Sequence, residues 1–156
     1  MLAEARALIG VTKVRRCEVT ARDIRRFAQA IGATDPVHFD EDYARSTRYG
    51  RVVAPPLFCQ SLAYEDVPPD RLPADGSPIE VCLPIPARRT VGGDSTFTVH
   101  RPVHAGETIV VTSQLKDVYA KEGRSGLLFM VVIETRFDDA DGAPVASETA
   151  TYIKRA

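Results

Sequence analysis

The chain has 156 residues, of which 44% are hydrophobic, and this is enough to build the core of one domain spanning residues 1–156. Its 20 Lys and Arg residues nearly balance its 21 Asp and Glu residues, so no strong positive field predicts nucleic-acid binding. The longest apolar run, residues 127–133, is far too short to cross a membrane, and we expect a soluble, cytoplasmic protein.

The three cysteines, Cys17, Cys59 and Cys82, are odd in number and have no paired spacing. This pattern favours small buried thiols in a reducing compartment over disulfides. The sequence has no Cys and His cluster with zinc-site spacing, no P-loop and no glycine-rich dinucleotide motif. It therefore predicts no metal and no cofactor.

The first predicted elements are a strand and a capped helix. Residues 11–19 favour a short edge strand that carries charges. Thr20 and Asp23 form a capping-box-like pair, with Asp in place of the usual Glu, and predict a helix start. Gly32 is typical of the residue that follows a helix end. Between these signals an apolar stripe recurs at helical spacing: Ile24, Phe27, Ala28 and Ile31.

Further helix starts are marked by short polar residues and by prolines. Asp35 before Pro36 is typical of an N-cap followed by proline at the first helical position. Asp40 can cap a second short helix in the same way. The Ala-Pro-Pro run at 54–56 predicts the start of a central helix, on which residues 57–62 include a small and apolar face.

The second half of the sequence predicts a loop followed by strands. Residues 65–78 are rich in Pro, Asp and Gly, which favours an exposed loop. Beyond it the alternation of residues predicts antiparallel strands with hairpin connections over 87–103, 107–119, 127–137 and 145–154. This order predicts an α+β fold in which a curled antiparallel sheet of about five strands wraps a helix. Such a sheet cannot cover both of its faces, so we expect pairing with a second copy or a similar subunit.

Two stretches carry a resemblance to a known family. Residues 31–58, IGATDPVHFDEDYARSTRYGRVVAPPLF, closely resemble the N-terminal half of bacterial MaoC-like dehydratases, in particular the subgroup related to the dehydratase region of type I fatty-acid synthases. Residues 88–135 are similar to the sheet of that subgroup. The resemblance implies a hot-dog fold with its site at a dimer interface. It also implies an (R)-specific 2-enoyl-thioester hydratase, or a 3-hydroxyacyl-thioester dehydratase in reverse, acting on acyl-CoA or acyl-carrier-protein substrates.

The resemblance further implies an aspartate and a histidine, five residues apart, that share one water. Such a pair can supply the proton transfers that hydration of a conjugated thioester needs. His38 matches the family histidine, whereas the position five residues earlier is Ala33, which cannot exchange a proton. Asp35 lies between the two. We expect His38 and Asp35 to be the catalytic residues, and a plain N-cap role for Asp35 remains the alternative.

The resemblance also implies that the thioester carbonyl points at the start of the central helix. Backbone N–H groups there can stabilise the developing enolate oxygen. Pro55 and Pro56 have no N–H, so the first donors are Leu57 and Phe58. We expect Leu57, Phe58 and Pro56 to form the substrate-binding end of the helix. Alternatively, the prolines only stiffen the entry to the helix.

The remaining histidines and the arginine pairs are weaker candidates. His100 reads as a strand residue on a solvated or partner-facing side, and His104 as an exposed turn residue. The Arg-Arg pairs at 15–16, 25–26 and 88–89 favour solvated faces. Alternatively, they form a landing site for the phosphates of coenzyme A or of a carrier's phosphopantetheine.

Three functions follow from these residues. The first is an active hydro-lyase of fatty-acid or polyketide metabolism that uses His38 and Asp35. The second is a non-catalytic hot-dog subunit that pairs with a catalytically complete MaoC-like partner, which Ala33 would fit. The third is an acyl-thioesterase, which needs a carboxylate aimed at the carbonyl, and the central helix lacks one near its start.

Overall fold

The structure is a computed structural model that describes residues 2–64, 66–72, 83–85, 89–123 and 126–155. Among the described residues, the first half of the chain contains the helices and one strand, and the second half contains four strands. The helices are α1 (Leu2–Arg6), α2 (Ala21–Ala30), α3 (Glu41–Arg45) and α4 (Phe58–Ser61), with single 3₁₀ turns at Pro36–His38 and Pro69–Arg71. The strands are β1 (Thr12–Glu18), β2 (Arg89–Val99), β3 (Thr108–Gly123), β4 (Gly126–Asp139) and β5 (Pro144–Arg155).

The five strands form one antiparallel sheet in the order β1-β3-β4-β5-β2. Buried and less buried residues alternate along the first half of β3 and most of β4, as the period-two pattern predicted. The ladder of β3 and β4 extends to the pair Gly123 and Gly126, so β3 runs four residues beyond its predicted end. The predicted α+β fold with a curled five-stranded sheet is confirmed.

Local capping signals determine the helix boundaries before the sheet. The backbone N–H of Asp23 donates to the Thr20 hydroxyl at 3.1 Å, and the Thr20 N–H donates to the Asp23 carboxylate at 3.2 Å. This reciprocal capping box starts α2 as predicted. Gly32 follows the helix with a φ of +69°, a conformation that glycine adopts without strain. Ile31 was predicted to belong to the buried stripe, but it is exposed because the helix has already ended there.

The core consists of two clusters of buried side chains along the sheet. One cluster includes Ile24 of α2 and Phe58 of α4, and the Phe58 ring meets Phe27 edge-on with centroids 5.7 Å apart. Cys59 is buried and Cys17 is half-buried. Within the described ranges, every helix falls short of the length and apolarity that crossing a membrane requires.

Two sequence predictions concern residues that the structure only partly describes. Of the predicted loop 65–78, residues 66–72 are described and contain the 3₁₀ turn Pro69–Arg71. Cys82 lies outside the described residues. The helix predicted after the prolines is the single turn of α4, and turn hydrogen bonds continue it to Ala63.

Candidate functional site

A short extended segment at residues 52–54 holds the site together. The Val53 N–H donates to the carbonyl of Val37 at 3.2 Å, and the Ala54 N–H donates to the carbonyl of Val103 at 2.8 Å. Val53 also forms an isolated bridge with His104. The segment is therefore bonded on one side to the 3₁₀ turn Pro36–His38 and on the other to the chain that leads into β3.

His38 is oriented by this segment. It is the last residue of the 3₁₀ turn, it is half-buried, and its Nδ1 lies 2.7 Å from the carbonyl oxygen of Val53. A carbonyl only accepts hydrogen bonds, so Nδ1 carries a proton and donates it. In the neutral ring the lone pair then lies on Nε2, which is the arrangement a general base requires.

Asp35 caps the turn that ends at His38. Its Oδ1 accepts a hydrogen bond from the N–H of Val37 at 3.0 Å, and its backbone carbonyl accepts one from the N–H of His38 at 3.2 Å. The N-cap interpretation of Asp35 is therefore confirmed. The cap uses one carboxylate oxygen, so the second oxygen is left for another contact.

A cavity of roughly 560 Å³, here called the His38 cavity, opens beside this turn. It brings together three of the predicted site residues, Asp35, His38 and Pro56. It also contains His100, which the sequence analysis ranked among the weaker candidates. The lining residues are Asp35, Val37, His38, Arg48, Tyr49, Val53, Ala54, Pro56, Val99, His100, Arg101 and Pro102.

His100 reaches the cavity from the end of β2. Its backbone N–H donates to the carbonyl of Val145 at 2.9 Å, and its Nε2 lies 3.4 Å from the Ser147 hydroxyl. The predicted strand covered this position, but β2 ends one residue earlier, at Val99. His100 therefore lies where the chain leaves the sheet and turns toward the cavity, which strand alternation alone could not predict.

The start of α4 departs from the prediction at Phe58. The N–H of Phe58 donates to the carbonyl of Pro55 at 2.9 Å, and its side chain lies in the core, only 2% exposed. The prediction that Phe58 offers a free donor is wrong, because the turn entering the helix already uses that N–H. Leu57 is 49% exposed, and its N–H has no acceptor among the described residues.

His104 was predicted to be exposed, and this prediction is wrong. The residue is half-buried, and its Nδ1 lies 2.9 Å from the carbonyl oxygen of Val52. Its backbone N–H donates to the Glu107 carboxylate at 3.0 Å. His104 therefore fastens the same segment as His38, from the opposite side, and it does not line the His38 cavity.

The sequence matches the family described as FAS1-like, dehydratase domain region, over residues 7–148. The chain belongs to this family. A UPF0336 protein of Streptomyces griseus is 32% identical over 142 residues, which cover 89% of this chain and 85% of that protein.

Solved structures with the same fold include two that are described by an activity. The (R)-hydratase PhaJ1 of Pseudomonas aeruginosa has a TM-score of 0.68 at 23% identity, covering 94% of this chain and 81% of its own. A chain of the HadBC (3R)-hydroxyacyl-ACP dehydratase complex of Mycobacterium tuberculosis has a TM-score of 0.71 at 24% identity, covering 94% and 96%. The predicted MaoC-like hot-dog hydratase/dehydratase is confirmed at the level of family and fold.

This member of the dehydratase family has Ala33 where the resemblance led us to expect an aspartate. Ala33 follows Gly32, and its N–H donates to the carbonyl of Ala28 at 2.9 Å. Asp35 supplies the carboxylate among the described residues that line the His38 cavity. No group of three or more potential metal ligands occurs in the described part of the chain.

The described lining residues of the His38 cavity include two arginines, and the surroundings of the two differ. Arg101 contacts two carboxylates, Glu107 at 2.8 Å and Asp139 at 3.2 Å. The pKa of Asp139 is lowered, most strongly by the hydrogen bond from the backbone N–H of Ala143 and also by Arg101. The Arg48 guanidinium instead donates to the Tyr49 hydroxyl at 2.8 Å, and this hydrogen bond raises the pKa of Arg48.

A second cavity, of roughly 720 Å³, lies between β1, α2 and the end of α4, and is here called the Arg26 cavity. Arg15 closes one side of it by donating to the carbonyls of Leu62 and Tyr64. The cavity contains three arginines from the predicted pairs, whereas Arg88 lies outside the described residues. The lining residues are Arg15, Arg16, Cys17, Glu18, Asp23, Arg26, Phe27, Phe58, Ser61, Leu62, Tyr64 and Asp66.

Proposed function

We propose that the chain is an (R)-specific 2-enoyl-thioester hydratase, or a 3-hydroxyacyl-thioester dehydratase in the reverse direction. Its substrate is an acyl group carried by coenzyme A or by an acyl carrier protein. The observation that carries this proposal is the fixed tautomer of His38 at the wall of a cavity large enough for a short acyl thioester. Membership of the dehydratase family supports the same chemistry.

In the hydration direction His38 is the base. Its Nε2 takes a proton from a water molecule, and the water oxygen forms a bond to C3 of the enoyl group. The electron pair of the C2–C3 double bond moves toward the thioester carbonyl and gives an enolate, which then takes a proton at C2. One water is consumed and no net proton is gained or lost, and dehydration follows the same steps backwards.

The proton for C2 comes from a second group on the same cavity. In this proposal Asp35 is that group, acting through the carboxylate oxygen that does not cap the turn. His100 is the alternative, because its imidazole lines the same cavity. Between turnovers the group that protonated C2 regains a proton from solvent, since Asp35 and His100 are both exposed, and the half-buried His38 releases the proton that it took from water.

The enolate oxygen needs a donor, and the N–H of Leu57 is the one that α4 offers. The preceding prolines have no N–H, and the N–H of Phe58 is already bonded to Pro55. An N–H fixed at the entry to a helix needs no reorganisation when the negative charge develops. Pro56 lines the cavity next to this donor.

The same proposal includes pairing with a second hot-dog chain, either another copy or a similar subunit. β2 forms one edge of the sheet, and it exposes Val91 and Val99, at 59% and 45%. Exposed apolar residues on an unpaired edge favour association. The HadBC neighbour is itself described as a complex.

A second candidate function is a non-catalytic subunit that supports a partner with a complete aspartate and histidine pair. The specific observation in its favour is Ala33, which leaves the expected position without a proton-transfer group. In that case His38 contributes to acyl binding, and the chain alone has no hydratase activity.

Hydration of crotonyl-CoA by the purified chain tests the proposal. We expect (R)-3-hydroxybutyryl-CoA to accumulate with the wild type and not with His38→Gln, which keeps a donor for Val53 but cannot take a proton. Product that appears only when a complete MaoC-like partner is added would favour the subunit function. Free thiol without hydroxyacyl product would identify a thioesterase and overturn the proposal.

A further inference from the structure

Arg48 lines the same cavity as His38, and the role inferred for it here rests on the proposed function. Arg48 and Arg101 are the guanidinium groups among the described residues lining the His38 cavity. Arg101 faces two carboxylates at contact distance, which balance its charge within the protein. Arg48 instead contacts the hydroxyl and the ring of Tyr49. Of these two arginines, Arg48 is therefore the one whose positive charge is available to a ligand.

The Arg48 side chain is held in place by the residue that follows it. Its guanidinium carbon lies 4.9 Å from the centroid of the Tyr49 ring, and its Nη2 lies 2.8 Å from the Tyr49 hydroxyl oxygen. Stacking on an aromatic face orients the planar guanidinium and reduces the side-chain entropy lost on binding. Its remaining N–H groups are suited to two parallel hydrogen bonds with one anion.

The backbone around Tyr49 is itself fixed by a compact turn after α3. The Thr47 hydroxyl donates to the carbonyl of Ala44 at 2.7 Å and accepts from the N–H of Tyr49 at 3.2 Å. Gly50 completes the turn with a φ of +71°. The ring on which Arg48 rests is therefore positioned by local hydrogen bonds.

We propose that Arg48 binds a phosphate of the group that carries the acyl thioester. The shared chemistry is the phosphate ester attached to the pantetheine arm, which occurs both in coenzyme A and in a modified carrier protein. Guanidinium and phosphate form charge-assisted, bidentate pairs. Arg48 then acts as a specificity residue, since it distinguishes thioesters that carry a phosphate from those that do not.

The charge of Asp35 on the same cavity does not cancel this contact. One oxygen of that carboxylate is bonded to the turn of His38, and no ion pair joins it to Arg48 among the described residues. Asp35 and Arg48 therefore serve different parts of the substrate, the acyl group and the carrier.

The test compares thioesters with and without phosphate. The substrates are crotonyl-CoA, crotonyl-acyl carrier protein and crotonyl-N-acetylcysteamine, which has no phosphate. We expect Arg48→Ala to lower kcat/KM for a phosphate-bearing thioester about 10- to 100-fold, mainly through KM, and to change the N-acetylcysteamine thioester far less. Arg48→Lys should recover part of the loss, since it keeps the charge but not the bidentate geometry.

The three thioesters and a measurement of coenzyme A binding distinguish the possible sources of the phosphate and test the proposed function separately. A loss confined to crotonyl-CoA assigns the phosphate to coenzyme A, and a loss confined to the carrier-protein thioester assigns it to the carrier. Equal losses with all three thioesters, or no loss, would overturn the role of Arg48. If the wild type hydrates none of them, the proposed function fails, and calorimetric binding of coenzyme A to wild type and Arg48→Ala then decides the inference by itself.

Arg45→Ala is the matched control. Arg45 lies in the preceding helix, three residues before Arg48, and it pairs with Asp42 at 2.6 Å on an exposed surface. It does not line the His38 cavity. We expect this variant to match the wild type with all three thioesters, so that a general loss of positive charge is excluded as the cause.

Discussion

The His38 cavity and the Arg26 cavity are comparable in volume, roughly 560 and 720 Å³, but they differ in chemistry. The Arg26 cavity has three arginines and three carboxylates among its described lining residues, so its charges balance. The described lining residues of the His38 cavity include two imidazoles, one carboxylate and two arginines, of which Arg101 contacts carboxylates and Arg48 contacts the Tyr49 hydroxyl. The described lining of the Arg26 cavity thus has equal numbers of arginines and carboxylates, whereas that of the His38 cavity has one more arginine than carboxylates, so we expect the His38 cavity to favour an anion.

The two cavities also differ in the structure that builds them. Regular elements, β1 and α2, supply much of the lining of the Arg26 cavity. The His38 cavity is formed by the turn at 35–38, the segment at 48–56 and the chain at 99–102, where regular structure ends. Residues at such ends are oriented by specific hydrogen bonds, and functional groups are often found there.

The largest expected effect is on His38. We expect His38→Gln to lower kcat for crotonyl-CoA hydration by about 100- to 10,000-fold, because a positioned general base contributes that much. The matched control is His104→Gln, since His104 makes the same kind of Nδ1 contact, to Val52, but lies outside the cavity. Steady-state kinetics of both variants checks this, and equal losses would mean that the two histidines act only by holding the segment.

The next effect separates the two roles of Asp35. We expect Asp35→Asn to lower kcat about 10- to 100-fold with little change in stability, because Asn still caps the turn but cannot exchange a proton. Asp35→Ala should also lower the free energy of unfolding by about 1 kcal/mol, since the cap is lost. Kinetics and urea unfolding measure the two losses. If Asp35→Asn is fully active and His100→Gln is not, the proton for C2 comes from His100 instead.

The fold and the local turns could be predicted from the sequence because their signals are local. Thr20 and Asp23 meet three residues apart, and Asp35 caps the N–H two residues ahead of it. The alternation of residues in the second half likewise predicted the sheet, with errors of a few residues at strand ends. Caps and alternation depend on near neighbours, and so a single sequence contains them.

The composition of the site could not be predicted in the same way. His100 reaches the His38 cavity because β2 ends at Val99, and Phe58 loses its donor because the carbonyl of Pro55 turns back toward it. Arg48 is singled out because carboxylates elsewhere in the chain, Glu107 and Asp139, contact Arg101 instead. The positions of His100 and Arg48 depend on contacts between distant parts of the chain, which no spacing in the sequence encodes, whereas the bond between Pro55 and Phe58 is a local turn that the proline signal did not reveal.

A smaller effect is expected for the arginines of the Arg26 cavity. We expect Arg16→Ala and Arg26→Ala each to change kcat/KM for crotonyl-CoA by less than about threefold, because the described lining of their cavity has as many carboxylates as arginines. Arg48→Ala measured in the same assay supplies the contrast. A loss with Arg26→Ala as large as that with Arg48→Ala would mean that the Arg26 cavity also binds the phosphates, as one reading of the arginine pairs predicted.

The smallest expected effect comes from chemical modification of the Arg26 cavity. Cys17 lines that cavity and is half-buried, whereas Cys59 is buried in the core, and burial raises the pKa of its thiol to about 12. In a Cys82→Ser background, iodoacetamide at about pH 8 should therefore label Cys17 and spare Cys59, since the thiolate is the reactive form. Mass spectrometry locates the label, and we expect hydration of crotonyl-CoA to change by less than about twofold, because the added group lies away from His38. Strong inhibition by a label on Cys17 would show that the two cavities are coupled, and the contrast between them would then no longer hold.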